Sequence, residues 1–288
     1  MKFLSLLFLS LSADATATRF IAMGDMPYEM PSDGLRFEKM TAEANRLKPD
    51  FAIHVGDIKA SHTKCSDKKL KDAFNRFSKF LVPLIYTPGD NEWTDCGREK
   101  AGEYDPIERL AFLRNLFFAD DFSLGQSKLK LVRQSQFAEN ARWARGDIGF
   151  ATIHVVGSNN GDVQLISEYK KRNEANLAWL SELFKLAQEQ NQNAVVIIMH
   201  ADPLFTEPEP ARSGFKDITE AFVRHAREYN KPILLIHGDT HTYRFAKVLG
   251  LSNFTRLEVP GAPTAQSVEV VVDSSSVEPF SVKLLNSF

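Results

Sequence analysis

Five apolar runs along the chain stop on the same kind of polar group. Arg19-Phe-Ile-Ala-Met-Gly-Asp25, Phe51-Ala-Ile-His-Val-Gly-Asp57 and Leu81-Val-Pro-Leu-Ile-Tyr-Thr-Pro-Gly-Asp90 each end in Gly-Asp. Pro232-Ile-Leu-Leu-Ile-His-Gly-Asp239 does the same and continues to Thr240-His241, while Ala194-Val-Val-Ile-Ile-Met-His200 ends in histidine. Short apolar runs bounded by Gly and Pro predict buried strands. Amphipathic stretches between them predict helices over 35–47, 68–80, 105–118, 173–190 and 217–229. In the second of these, Leu70, Phe74, Phe77, Phe80 and Leu81 form one stripe.

The middle of the chain, 120–144, has poor periodicity and at most weak strands near 129–132 and 136–143; a clearer strand follows at 150–156. The tail changes character: 243–248, 254–259, 268–272 and 280–284 read as strands with no helix between them. A chain that begins βαβα and ends as consecutive strands predicts an α/β protein of two sheets packed face to face, helices outside. No low-complexity linker interrupts it, so 18–288 reads as one domain.

The first three Gly-Asp ends are about thirty residues apart, the length of one βαβ unit. Successive parallel strands then bring Asp25, Asp57 and Asp90 to one sheet edge, where open α/β sheets hold ligands. With His200, Asp239 and His241 they predict a polar site built from five strand termini. Crowded carboxylates repel unless protonated or neutralised by cations. Carboxylate with imidazole, and no thiolate, suits Mn, Fe, Zn or Mg. Two such ions can clamp the oxygens of an in-line displacement at phosphorus.

Composition narrows the setting. Net charge is −2, so no bulk attraction to nucleic acid or an anionic membrane is expected. Residues 1–17 carry Lys2, an apolar core from Phe3 to Leu11 and an Ala15-Thr-Ala17 cleavage pattern, which reads as a signal peptide and predicts a secreted or periplasmic protein without a membrane anchor. The two cysteines, Cys65 and Cys96, follow neighbouring strands and are expected to form a disulfide bracing the site. Asn253-Phe-Thr255 fits a glycosylation acceptor.

The order Gly-Asp, Gly-Asp, Gly-Asp-Asn-Glu, His, Gly-Asp-x-His resembles that of calcineurin-like metallophosphoesterases, purple acid phosphatases among them, from Arg19 to Tyr243. The resemblance implies a four-layer α/β/β/α sandwich of two mixed sheets with a two-metal site. Asp57 would bridge the ions, Asp25 and His241 hold the first, and His200 the second. Metal-bound hydroxide would attack a small phosphomonoester or phosphodiester. The motifs also depart from the family. Pro27 replaces a histidine, leaving Tyr28 as the nearest substitute ligand; Asp90 stands where Asn is usual, Asn91 where the catalytic His stands, and Asp239 replaces a third His. The extra carboxylates favour oxygen-seeking ions such as Mn, Mg or Ca over Zn.

With Asn91 in the catalytic position, His62 on the loop after Asp57 is the candidate replacement acid. Ser158, Asn159, Lys59 and Arg98 are candidate substrate contacts, and Asp202 a candidate for orienting His200. His54, His154, His225 and His237 read as structural, and Glu92 as a residue of the turn. A competing expectation is a degenerate member of the family that binds metal, phosphate or a partner without turnover.

Overall fold

The computed structural model describes residues 17–161, 163–203, 205, 213–264 and 266–286. The expected signal peptide therefore lies, apart from Ala17, outside the described residues. Strands β1 (Thr18–Met23), β2 (Phe51–His54) and β3 (Leu84–Tyr86) are parallel neighbours, and their last residues align: Met23 opposite His54, His54 opposite Tyr86. Each is buried along nearly its whole length, which explains their unbroken apolar runs. On the other side of β1 run the antiparallel strands β11 (Val268–Val272) and β12 (Phe280–Leu284), giving the order β12-β11-β1-β2-β3.

The second sheet contains β4 (Val132–Gln134), β5 (Phe137–Arg145), β6 (Ile148–Thr152), β7 (Ala194–Ile198), β8 (Ile233–His237), β9 (Arg244–Lys247) and β10 (Phe254–Glu258). Its order is β4-β5-β6-β7-β8-β10-β9, with β6, β7, β8 and β10 parallel. The two sheets face each other across a core that includes Phe20, Phe51, Trp143, Phe150, Leu234 and Val270. Phe20 stacks on Phe51 at 5.0 Å between ring centroids, and both meet Phe150 edge-on.

Helices cover the outer faces. α1 (Ser32–Leu47), α2 (Asp67–Phe77) and α3 (Pro106–Phe117) pack Phe37, Met40, Leu70, Phe77, Leu113 and Phe117 on the first sheet. α4 (Ile166–Glu189) and α5 (Lys216–Tyr229) pack Leu180, Leu183, Phe184, Phe222 and Ala226 on the second. These are the four layers expected. Ser66 caps α2 by accepting from the Lys69 amide; Asp105 caps α3, with Pro106 in the first turn where no amide is needed.

Two boundaries differ from expectation for visible reasons. α4 begins at Ile166 rather than 173, because its polar first turns are held by buried Arg172 paired with Glu168 four residues back. The strand expected over 150–156 ends at Thr152; the chain beyond turns over the site. The Asn253 side-chain amide donates to the carbonyls of Ala226 and Lys231, so its nitrogen serves the packing of α5 rather than standing free.

Candidate metal centre

The carboxyl ends of β1, β2 and β3 deliver Asp25, Asp57 and Asp90; those of β7 and β8 deliver His200, Asp239 and His241. The site thus lies across the seam between the two sheets. Local backbone makes this possible. Gly56 has φ +106°, and a Cβ there would stand 2.5 Å from the Gly89 nitrogen, so only glycine lets the second and third motifs close on each other. Asp25, Asp57, Asp239 and His241 all lie in the left-handed region, at φ 53°, 56°, 79° and 61°. Non-glycine residues held there cost about 1–3 kcal/mol each and cluster at functional sites.

Two triplets of potential ligand atoms result: Asp25, Asp57 and His200, and Asp90, His200 and Asp239, the atoms of each within 4.8 Å of one another. His200 is common to both. Its Nδ1–H donates to the Val55 carbonyl at 2.9 Å, which leaves Nε2 facing Asp90 at 3.2 Å, Asp57 at 3.5 Å and Asp239 at 3.9 Å. His241 is set the same way: Nδ1 meets the Ala262 carbonyl at 2.8 Å, and Nε2 lies 3.7 Å from Asp25. A backbone partner on Nδ1 with Nε2 aimed at carboxylates is how ligating imidazoles are oriented.

The electrostatics state the same need. Burial pushes the Asp25 carboxyl up to about 8, with Asp239 and Asp90 adding to the rise and His200 opposing it. Burial likewise raises Asp57 well above the usual range and Asp239 to about 6. Burial alone would push the His200 imidazole down, but Asp57, Asp90, Asp25 and Asp239 outweigh it and hold it well above 6.5. Such crowding calls for positive charge, which protons or divalent cations would supply.

The donor set fits divalent cations. Asp25 Oδ2 is buried without a hydrogen-bond partner. Opposite, Gly157 forms a wall: a Cβ there would stand 2.8 Å from Asp239 Oδ1 and from both oxygens of Asp90, filling the cradle of the second triplet. Four carboxylates with two imidazoles favour hard or borderline ions.

The remaining expected residues fall in varied places. The Tyr28 hydroxyl donates to Asp57 Oδ2 at 2.8 Å and lies 3.2 Å from His241 Nε2; burial and Asp57 raise it well above 10.0, so it is a neutral phenol there. Asn91 bonds Asp57 through both its backbone and side-chain nitrogens and also reaches Tyr28. Ser158 donates to Asp90 Oδ2 at 2.8 Å, and Arg98 reaches Ser158 at 3.1 Å. Asn159 spends its amide on Ser213 and Gly214. Asp202 donates its backbone N–H to Asp239 Oδ2, not to His200. Glu92 accepts from the amides of Asp57 and Gly89 and from the Tyr86 hydroxyl, tying the second and third motifs together.

One expectation needs correction, and another residue has a partner of its own. Lys59 is fully buried, its ammonium on the Ala60 carbonyl, so it does not present itself to substrate. Burial lowers its amine to about 8, against the pull of Glu92, Asp57 and Asp95, and it acts as an internal countercharge. The His62 side chain is 58% exposed and pairs with Glu29 at 3.2 Å. The expected disulfide is present: Cys65 and Cys96 are bonded, with Cα atoms 5.7 Å apart, and both sulfurs pack on the Asn91 carbonyl.

Sequence reasoning missed two groups. Gly157 carries no signal of its own in the sequence. Glu258, fully buried, holds the loop of Asp239 and His241 by accepting from Thr240 Oγ1 and the Thr242 amide, and its second oxygen meets Arg244 and Arg256. Arg256 also bonds Asp202 at 2.9 Å, so buried Arg256 and the exposed Arg244 together neutralise two buried carboxylates.

Comparison with solved structures shows the same fold at low identity. A dimetal phosphatase from Danio rerio superposes with a TM-score of 0.57 at 13% identity, covering 88% of this chain and 95% of that one. GAP50, described as the anchor in the inner membrane complex of Plasmodium, gives 0.56 at 11%, covering 94% and 89%. The purple acid phosphatase PPD1 from yellow lupin, Lupinus luteus, gives 0.53 at 12%, covering 94% of this chain and 54% of that one. A comparison with curated proteins finds no match. The family model for calcineurin-like phosphoesterases matches residues 18–243, the span that carries all six ligand candidates and strands β1 to β8, and the chain belongs to that family.

Proposed function

We propose that this protein is a metal-dependent phosphoester hydrolase with two cations held between its sheets. The observation that carries the reading is the pair of ligand triplets meeting at His200, beside a buried and unpartnered Asp25 oxygen. Asp25, Asp57, His241 and Tyr28 border the first position; Asp90, His200 and Asp239 border the second. Mn, Mg, Ca, Fe or Zn bound there would supply the positive charge that activates water and offsets charge developing on a phosphoryl group. The chain's own part is to fix six ligands on rigid strand ends, to orient both imidazoles through backbone carbonyls, and to bring Asn91 and Ser158 to the rim. Residues 18–288 act as one domain on a small phosphoester. We read the protein as exported, in keeping with the Cys65–Cys96 disulfide; no helix among the described residues is long and apolar enough to cross a membrane.

A second reading has its own support. Asn91 carries no proton to give a leaving group, and general acid help is worth about 10²–10⁴ in rate. A protein that binds metal and phosphate without turnover would tolerate that replacement, and the similar fold from Plasmodium is described as an anchor. Purified protein assayed with Mn and p-nitrophenyl phosphate, with and without chelator, separates the two. Chelator-sensitive hydrolysis that Asp57→Asn abolishes, with loss of bound Mn measured by elemental analysis, supports the enzyme. Bound Mn without turnover on mono- or diesters supports the binder, and no bound Mn at all sinks both.

A further inference from the structure

The turn over the second triplet is built in an unusual way. Ser158, Asn159 and Asn160 are three successive non-glycine residues in the left-handed region, at φ 52°, 51° and 58°. What holds them there is buried. Arg172, fully out of solvent, donates to the Asn160 side-chain oxygen, to the Asn160 carbonyl at 2.9 Å and to the His154 carbonyl at 2.9 Å. Asn160 Nδ2 donates to the Gly214 carbonyl, and Asn159 is clasped by Ser213 and Gly214. The consequence is that Ser158 projects outward with its hydroxyl fixed between Asp90 Oδ2 and Arg98 Nη2.

Arg98 is anchored from behind. Asp95, whose side chain is only 2% exposed, takes Arg98 Nη1 at 2.5 Å. The guanidinium itself keeps 48% of its side chain in solvent. Its fork is therefore steered by a buried carboxylate and stands two hydrogen bonds, through Ser158, from a carboxylate of the second triplet. Of the four side chains the sequence offered as substrate contacts, Lys59 is buried and Asn159 is engaged, which leaves Arg98 and Ser158.

We propose that Arg98, aimed by Asp95 and Ser158, binds an unesterified phosphoryl oxygen and makes the site selective for phosphomonoesters over phosphodiesters. The inference rests on the phosphoesterase reading above. A monoester carries up to two negative charges near neutral pH and leaves three oxygens free to accept. A planar fork rewards such oxygens with short, charge-assisted hydrogen bonds. A diester has one charge and only two such oxygens; with both turned to the cations, its second ester group takes the place of the third, and the contact with Arg98 is lost.

The test uses Mn-loaded full-length protein with p-nitrophenyl phosphate and bis-p-nitrophenyl phosphate. Arg98→Gln is expected to lower kcat/KM for the monoester by about tenfold or more, the worth of one hydrogen bond to a charged group, and to leave the diester within about threefold. Arg98→Lys should restore only part of the monoester rate, because a point charge lacks the fork. An unchanged ratio of the two kcat/KM values in Arg98→Gln overturns the proposal. If the wild type hydrolyses neither compound, the phosphoesterase reading has failed separately, and calorimetric titration of the same protein with inorganic phosphate decides. Binding weakened about tenfold by Arg98→Gln supports the contact; equal binding, or none by the wild type, overturns it.

Discussion

Replacing Asp25 with asparagine should stabilise the metal-free protein and weaken the metal-loaded one. Asp25 is fully buried, and burial lifts its carboxyl from 3.8 to about 8. The folded chain then holds that proton more tightly than the unfolded chain does. The stability this confers is complete below pH 3.8 and is lost as pH climbs to about 8. At pH 7 the loss is about 4 kcal/mol, which for a chain of this size amounts to about 7 °C in melting temperature. Asparagine removes the charge and keeps an oxygen for the Asp239 amide, which Asp25 now accepts at 3.1 Å. Melting curves in EDTA should therefore fall for the wild type between pH 5 and 8 and run flatter for Asp25→Asn, with the variant higher at pH 7. Saturating Mn should reverse the order, because only the wild type offers the cation a full first triplet. A variant that melts at or below the wild type in EDTA at pH 7 would refute carboxylate crowding as the source of metal demand.

Three further outcomes follow from the geometry. Gly157→Ala places a methyl group against Asp90 and Asp239, so the rise in melting temperature on adding Mn should shrink while the melting temperature in EDTA stays nearly unchanged; an undiminished Mn response would show the cradle lies elsewhere. Replacing Cys65 and Cys96 together with serine releases a cross-link over a separation of 31 residues, expected to cost about 3 to 4 kcal/mol in urea unfolding, and a smaller loss than about 1 kcal/mol would count against it. His54 sits wholly buried between Met26 and Gly56, and burial lowers its imidazole to about 3, so the stability tied to its neutral form is present above pH 6.5 and drains away toward pH 3. His54→Gln should lower stability at pH 7 yet lose less between pH 6.5 and 4.5, where the wild type forfeits about 2 kcal/mol through this group; parallel acid curves for the two would contradict that.

How much of this was legible in the sequence depended on whether periodicity or pairing set a residue's place. Asp25, Asp57, Asp90 and Asp239 announced themselves because apolar runs and a trailing Gly-Asp leave little freedom in where a strand ends. His200 and His241 followed from position alone. The four layers could be read from helices between early strands and none between late ones. Lys59 and His62 could not be separated on the same footing: both lie just past Asp57, yet one is fully buried on the Ala60 carbonyl and the other meets Glu29 in solvent. Arg256 and Glu258 are charged residues in β10 that alternation would place outside, and they are buried because Asp202 and Arg244 neutralise them. The left-handed turn of Ser158 to Asn160 has no signature of its own. Its cause is Arg172, in the next helix, which a one-dimensional pattern cannot connect to it.

The ligands come from both sheets, and from residues as far apart along the chain as Asp25 and His241. No half of the polypeptide owns a finished grip on a cation. On the proposed two-cation reading, divalent ions would be captured only after the two layers have docked, so uptake would mark the last act of assembly and work as a latch on it. Stripping such ions would then loosen the joint between layers rather than any one helix or strand, and amide exchange should quicken first along that joint.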